Sequence, residues 1–264
     1  MAKLKALRPQ VPGQINVISS PDKVEVLPGY QGPRKAKDLP YALPPRIWKP
    51  QTRRPIRVKT LAGGALIQID ARCYTVDQRW SGLRFIFKVD HLAVKDDETT
   101  FNLFTTHIGR TVGGVAHWTE IGIIRAAQDP RYRLFTYNSE VDEDDRWGFF
   151  GTMREGEVFE FAIRLNENDP GPYRFETFCS GRRVRKGNLP RLDCRVDLSH
   201  ESWSQTGTFS KSDHVIAVEG WVNNPPNFAR WFQSGLNIYC YTTNGAVKQE
   251  KFGTAPAHKF ESYT

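Results

Sequence analysis

The sequence contains little cysteine and no long apolar run. Only four of its 264 residues are cysteine, and no two of them have the C-x-x-C spacing of zinc or redox sites. The chain also lacks the roughly 20 consecutive apolar residues that a transmembrane helix needs. With 39% hydrophobic residues, however, it has enough apolar mass to bury a core. These features exclude a disulfide-rich mini-protein and predict no membrane insertion.

The cysteines are predicted to be reduced. Cys73 and Cys240 lie inside apolar, strand-like runs, where a buried free thiol is expected. Cys179 and Cys194 flank a basic segment and would be the pair to bridge in an oxidising compartment. No apolar stretch of a secretory signal follows Met1, so we expect a protein made in the cytoplasm without a signal peptide.

Familiar catalytic motifs are missing as well. The six histidines show no H-x-x-x-H or H-E-x-x-H spacing, so we predict no metal site. The chain has no G-x-S-x-G, no P-loop and no G-x-G-x-x-G, so we predict no cofactor. The sequence therefore leans away from an enzyme.

Charge and proline divide the chain near residue 59. Residues 1–59 carry a net charge of +10 and ten of the seventeen prolines, whereas residues 60–264 carry −2. Because proline fixes φ and removes a hydrogen-bond donor, the first segment favours extended conformations over helix or central strand. We interpret residues 1–59 as a basic, proline-rich extended arm and residues 60–264 as a single domain.

The domain has the alternation of β-strands. In "EVFEFAIRL" and "LRFIFKVD", apolar side chains recur at every second position, as expected for half-buried strands. Asn244-Gly245 between two such runs predicts a tight hairpin. Helices are predicted at most in the short stretch "IIRAAQ" and in "PNFARWFQSG". The fold class is therefore all-β, an antiparallel β-sandwich or jelly roll with an extended N-terminal arm.

One stretch resembles a known class. The strings "HWTEIGII", "WGFFGTMREGEVFEFAIRL", "YRFETFCSGRRV" and "HVIAVEGW", within residues 115–222, follow one another as do strands of concanavalin A-like lectin and glucanase sandwiches. The resemblance implies a sandwich fold and glycan recognition. It also suggests where catalytic acids would lie, because the glucanases of that class carry E-x-D-x-x-E on one strand. Glu140, Asp142 and Asp145 have that spacing, although the last acid departs from the pattern and a solvated loop is the ordinary alternative.

Other acids are candidates on chemical grounds. Glu120 in "WTEIG" and Glu219 in "VEGW" are lone acids in apolar runs beside tryptophan, and buried carboxyls with a raised pKa suit acid–base work. The alternative is that each side chain faces solvent or pairs with an arginine. Asp142 and Asp144 would be the start of an irregular calcium site, which the residues after them do not support.

Two basic groups and three aromatic residues are candidates for partner binding. Extended arms gain order by docking on a sheet edge, on another copy or on a polyanion. The segment "GRRVRKGNLPR" is interpreted as a second basic cluster in an exposed loop that contacts phosphate or a glycan carboxylate. The predicted polyanion- or partner-binding residues are Arg46, Lys49, Arg53, Arg54, Arg57, Lys59, Arg182, Arg183, Arg185 and Lys186, and the predicted partner anchors are Tyr30, Tyr41 and Trp48.

A basic arm ahead of a sandwich also resembles the layout of small coat and capsid subunits. That resemblance implies a non-enzymatic assembly protein, a homo-oligomer or part of a particle or virion, and this is the first hypothesis. The alternatives are a lectin-like carbohydrate-binding module or glycoside hydrolase of the concanavalin A-like class, and a sequence-independent nucleic-acid binder. The last would bind with an affinity that falls steeply with salt.

Overall fold

A computed structural model gives the architecture of the chain. It describes residues 46–48, 51–52, 56–59, 65–76, 78–92, 101–126, 129–142, 145–155, 157–165, 174–189, 194–204, 214–224, 227–230, 238–242, 249–252 and 260–263. These residues form eighteen β-strands arranged in two sheets, which confirms the predicted all-β sandwich. Tyr30, Tyr41 and the rest of the first forty-five residues lie outside the described ranges.

The first sheet has the strand order β1-β17-β18-β14-β5-β10-β11-β12, and β15 pairs with β14. The bounds of its strands are β1 (Arg46–Trp48), β5 (Gly82–His91), β10 (Val158–Leu165), β11 (Arg174–Cys179), β12 (Arg182–Asn188), β14 (His214–Asn224), β15 (Asn227–Arg230), β17 (Gln249–Phe252) and β18 (Phe260–Tyr263).

The second sheet has the strand order β2-β16-β4-β13-β6-β7-β8-β9, and β3 pairs with β4. The bounds of its strands are β2 (Gln51–Thr52), β3 (Ile56–Lys59), β4 (Ala65–Thr75), β6 (Phe101–Val112), β7 (Val115–Ala126), β8 (Asp129–Asn138), β9 (Trp147–Met153), β13 (Arg195–Ser204) and β16 (Ile238–Thr242). Every pairing in both sheets is antiparallel except β2 with β16. Three short strands of the predicted arm thus pair with strands of the body.

The core lies between the two sheets. Phe85, Phe161 and Phe175 of the first sheet pack with Phe104 and Ile121 of the second, and all five are essentially fully buried. Because side chains alternate across a strand, these residues leave the intervening positions of β6 and β7 on the opposite face of the second sheet. We call that face, turned away from the central core, the outer face.

A long hairpin joins β6 to β7 through two glycines. Gly113 and Gly114 have φ angles of 58° and 82°, which L-residues with a side chain rarely adopt. The turn fixes the register of the two twelve-residue strands, from Val112 opposite Val115 to Phe101 opposite Ala126. This register decides which outer-face side chains meet.

The described residues of both predicted helices are strands. β7 includes the first four residues of "IIRAAQ", and the start of "PNFARWFQSG" forms β15, which pairs with β14. The 3.6-residue spacing of aromatic residues was overridden by backbone pairing to a neighbouring strand. The predicted Asn244-Gly245 turn lies outside the described residues, and the strands before and after it, β16 and β17, belong to different sheets. Among the residues that the structure describes, no helix is long and apolar enough to cross a membrane.

Two further expectations need correction. Cys73 is disulfide-bonded rather than free, and the residue opposite it in register is Cys240. Cys179 and Cys194 are free and buried, as expected of reduced thiols. The basic segment after Gly181 is a strand, not an exposed loop, because β12 pairs with β11 along its length.

Candidate active site

Polar side chains on the outer face of the second sheet line up across neighbouring strands. His107 lies opposite both Asp197 and Glu120, and Thr105 lies opposite both Ser199 and Gly122. Directly opposed residues in antiparallel strands have Cβ atoms about 4.5–5.5 Å apart, so such rows bring their side chains into contact. The row through His107 runs, from strand to strand, Tyr74, Asp197, His107, Glu120, Tyr137 and Trp147.

Glu120 is a buried carboxyl group that resists ionisation. Its side chain hydrogen-bonds to the hydroxyl of Thr105, with 3.3 Å between Thr105 Oγ1 and Glu120 Oε2. Burial, reinforced by the negative charge of Glu201 nearby, raises the pKa of Glu120 to about 8, against the smaller opposing effects of Arg72 and Thr105. Glu120 therefore keeps its proton at neutral pH.

Glu201 on β13 is held by a cation and a hydroxyl. Arg72 Nη2 lies 2.5 Å from Glu201 Oε1, and Ser199 Oγ donates a hydrogen bond of 2.8 Å to the same oxygen. Arg72 Nε in turn lies 3.2 Å from Ser199 Oγ. Charge-assisted hydrogen bonds of this kind favour the ionised carboxylate. A protonated and an ionised carboxyl thus share one face of one sheet.

Asp197 is the third acid of this face. His107 Nε2 lies 2.6 Å from Asp197 Oδ2, and the Nε and Nη2 atoms of Arg195 lie 2.9 and 3.0 Å from its two oxygens. Burial alone would raise the pKa of Asp197, but the charge and hydrogen bond of His107, with Arg195 and Arg72, lower it to about 2. Asp197 is therefore an anion throughout the physiological pH range.

Aromatic rings continue the outer face beyond Glu120. Trp118 stacks on Tyr137 with 5.1 Å between ring centroids, and Tyr137 meets Trp147 edge-on at 5.3 Å. Trp147 also stacks over Phe149 at 6.3 Å. We call these four residues the aromatic strip. Tyr137 is buried, whereas Trp118, Trp147 and Phe149 are half-buried and keep part of their rings accessible.

The structure brings one sequence candidate, Glu120, into this site and places the others elsewhere. Glu219 lies on β14 in the first sheet. Glu140, Asp142 and Asp145 lie in the connection between β8 and β9 rather than on a strand, where Glu140 Oε1 is 2.8 Å from His117 Nδ1.

The calcium prediction falls partly outside the described residues, because Asp144 is not among them. Groups of three or more His, Cys, Asp or Glu side chains able to hold a metal ion are absent from the described part of the chain.

Basic residues on β12 are bound within the protein. Arg183 Nη1 donates a hydrogen bond of 2.8 Å to the buried Glu176, and Arg185 Nη1 donates one of 2.8 Å to the carbonyl of Arg146. Burial lowers the pKa of Arg185. Arg182 and Lys186 are exposed.

The structure describes the backbone of only some of the residues that were predicted to bind partners from the arm. The backbones of Arg46, Trp48, Arg57 and Lys59 lie in β1 and β3, whereas Lys49, Arg53 and Arg54 lie outside the described residues. Their role in partner binding stays a prediction.

Sequence reasoning missed Arg72, His107, Asp197 and Glu201. The available signal was the alternation of "RVDLSHES", in which Val196 and Leu198 face the core and the acids face the other way. That pattern also fits an ordinary solvated face, so it did not single out a site.

Comparison with known proteins yields fold-level likeness only. No protein-family model matches the chain, and no curated protein sequence matches it. Among solved structures, a scytalido-glutamic peptidase bound to a transition state analog inhibitor is 9% identical, with a TM-score of 0.43, over 75% of this chain and 98% of its own. An alginate lyase in complex with an alginate trisaccharide is 13% identical, with a TM-score of 0.31, over 57% and 76%.

The carbohydrate-binding module CBM66 from Bacillus subtilis is 7% identical, with a TM-score of 0.28, over 60% of this chain and 96% of its own. The similar structures thus include peptidases, lyases, a glycosidic hydrolase and a carbohydrate-binding module. Identities and scores of this size carry no argument about the activity of this chain.

Proposed function

We propose that the outer face binds a glycan and cleaves it by acid–base catalysis, with Glu120 as the general acid and Glu201 as its ionised partner. The observation that supports this is the pairing of a carboxyl that keeps its proton at neutral pH with a carboxylate bound to Arg72, on one face of one sheet. Two carboxyl groups in opposite protonation states are what glycoside hydrolysis requires.

The roles follow from the two environments. Glu120 donates its proton to the glycosidic oxygen as the bond to the leaving sugar breaks. Glu201 either takes a proton from the attacking water or itself attacks the anomeric carbon, after which water releases the sugar. Arg72 and Ser199 keep Glu201 in place through hydrogen bonds to its Oε1 atom. Proton transfer by a positioned group of this kind contributes typically ~10²–10⁴-fold in rate.

The aromatic strip supports a glycan as the substrate class. The apolar C–H faces of sugar rings pack on aromatic rings, and the hydroxyl groups at their edges need polar partners. Tyr137 lies opposite Glu120 in register, so the strip begins beside the general acid. A sugar stacked on Trp118, two residues before Glu120 on the same face of β7, would place its ring beside the general acid.

A glycan array followed by a hydrolysis assay tests the proposal. Glu120→Gln is expected to retain binding and lose ~10²-fold or more in cleavage, because glutamine keeps the shape of a protonated carboxyl but donates no proton. Glu201→Gln is expected to lose cleavage as well. Glu140→Gln, in the connection between β8 and β9, is the control and should cleave like the unaltered protein.

The binding surface has a graded test. Trp118→Ala is expected to weaken glycan binding about tenfold, equivalent to ~1.4 kcal/mol. Trp118→Phe retains an aromatic ring, so its glycan affinity should lie between those of Trp118→Ala and the unaltered protein. If the protein neither binds nor cleaves any glycan on a broad array, the proposed function is wrong, whatever the state of the carboxyl groups.

The assembly and nucleic-acid hypotheses rest mainly on side chains of residues 1–59. Those side chains lie outside the described ones, so both hypotheses stay predictions. Removing residues 1–45 and measuring the oligomeric state by light scattering tests the first of them, since an unchanged state would contradict it.

A further inference from the structure

His107 stands between two carboxyl groups of opposite character. Its Nε2 atom lies 2.6 Å from Asp197 Oδ2, and its Nδ1 atom lies 4.0 Å from Glu120 Oε2. Nδ1 is buried and has no hydrogen-bond partner in the described part of the chain. A buried polar atom without a partner is unusual and calls for an explanation.

The contact with Asp197 decides which ring nitrogen faces Glu120. A carboxylate only accepts hydrogen bonds, so the ring must carry its first proton on Nε2. The remaining nitrogen, Nδ1, is then a bare acceptor in the neutral ring and an N–H donor in the imidazolium. In either form it faces the carboxyl group of Glu120, which a small ring movement or one water molecule would bring into hydrogen-bond range.

We propose that His107 exchanges a proton with Glu120 through Nδ1, and that Asp197 positions the ring for this exchange. In the imidazolium form, the Nδ1–H bond breaks and an O–H bond forms on Glu120 Oε2, leaving a neutral ring and a neutral carboxyl. His107 then takes a replacement proton from solvent. Its role in turnover rests on the proposed function in the form in which Glu201 acts as the base. Glu120 must then regain the proton that it gave to the leaving group, while Glu201 releases to solvent the proton that it took from water.

The charged side chains around His107 are compatible with proton exchange between His107 and Glu120. On β4, Arg72 faces the site and pairs with Glu201 and, at 3.8 Å, with Asp197. On β13, Arg195 pairs with Asp197. Both guanidinium groups are therefore engaged with carboxylates of β13. The remaining titratable groups on this row are two tyrosines, Tyr74 on β4 and Tyr137 on β8.

Nitrogen NMR of the His107 ring tests the exchange without any substrate. In the unaltered protein the Nδ1 shift is expected to change near pH 8, where Glu120 ionises, while Nε2 stays hydrogen-bonded to Asp197. In Glu120→Gln that change should disappear. A flat Nδ1 signal near pH 8, or the same change in Glu120→Gln, would overturn the proposal.

A second variant separates this inference from the proposed function. His107→Gln offers Asp197 an amide donor but lacks the nitrogen that faces Glu120. Where a glycan is cleaved, it should lower kcat about tenfold or more and alter the pH profile, with KM little changed. If His107→Gln lowers both kcat and thermal stability but leaves the pH profile unaltered, the role of His107 is structural and the exchange is refuted. If no glycan is cleaved but the NMR signals are coupled, the proton exchange stands and only the glycan function fails.

Discussion

Replacing Glu120 by glutamine should stabilise the protein, and the gain should grow with pH. In the folded state burial raises the pKa of Glu120 from 4.5 to about 8, so the folded protein binds a proton that the unfolded chain releases between these pH values. Stability linked to this group is full below pH 4.5 and is lost as the pH rises towards 8. Glutamine, which does not ionise, removes that loss.

The size of the effect follows from the shift. One pKa unit corresponds to ~1.4 kcal/mol, so the advantage of Glu120→Gln should be near zero at pH 4, about 3 kcal/mol at pH 7 and about 5 kcal/mol above pH 8. Urea unfolding of both proteins at one-unit intervals from pH 4 to pH 9 measures this difference directly. Glu157→Gln, on the exposed turn between β9 and β10, is the matched control, since it makes the same replacement at an exposed site.

A particular result would refute the reasoning. If the difference between Glu120→Gln and the unaltered protein does not change with pH, Glu120 ionises alike in the folded and unfolded states. If the difference falls as the pH rises, the carboxylate is stabilised by the fold, and Glu120 cannot be the proton donor. Both results would remove the basis of the acid–base proposal without any knowledge of the substrate.

Three further predictions concern stability and thiol chemistry. Gly122→Ala should lower the free energy of unfolding by ~1–3 kcal/mol in urea titrations, because an added Cβ would meet a backbone oxygen at 2.4 Å. Gly151→Ala, whose added Cβ would have no contact under 3.3 Å, should change the free energy of unfolding less. Asp197→Asn should destabilise by ~3–5 kcal/mol at pH 7. It should also abolish the loss of ~2.5 kcal/mol that the depressed pKa of Asp197 predicts progressively as the pH falls from about 5 to about 1. Reduction of the Cys73 disulfide should lower the free energy of unfolding by ~2–4 kcal/mol. Mass spectrometry after treatment with iodoacetamide at pH 8 should find Cys179 unmodified in the folded protein, since burial raises the pKa of its thiol to about 12.

The sequence predicted the strands well where alternation was strict. "EVFEFAIRL" is β10, and its Phe161 and Ile163 face the core as the two-residue period requires. The prediction failed where a local pattern competed with distant pairing. The aromatic spacing after Pro226 fits a helix, yet the backbone there pairs with β14. Asn244-Gly245 is good turn chemistry, but local sequence does not say whether the next strand stays in the same sheet.

The site was harder to predict because its chemistry depends on burial of the acids on the outer face. The alternation of β13 places Asp197 and Glu201 on the face opposite Val196 and Leu198, which is the usual pattern of a solvated surface. Both acids are instead buried or nearly so. Whether a polar face is covered depends on residues far away in sequence, and a single sequence carries no direct record of it.

Once the acids of the outer face are known to be buried, their pairing with arginines identifies the proton donor. Three carboxyl groups, those of Glu120, Asp197 and Glu201, lie on this face, and two guanidinium groups pair with two of them. The guanidinium groups of Arg72 and Arg195 pair with Asp197 and Glu201. Glu120 instead faces an imidazole at 4.0 Å and a hydroxyl group at 3.3 Å. Because a buried charge is strongly disfavoured unless a cation pairs with it, Glu120 keeps its proton whenever the His107 ring is neutral. The pairing of the two arginines with Asp197 and Glu201 thus leaves Glu120 as the acid of the pair.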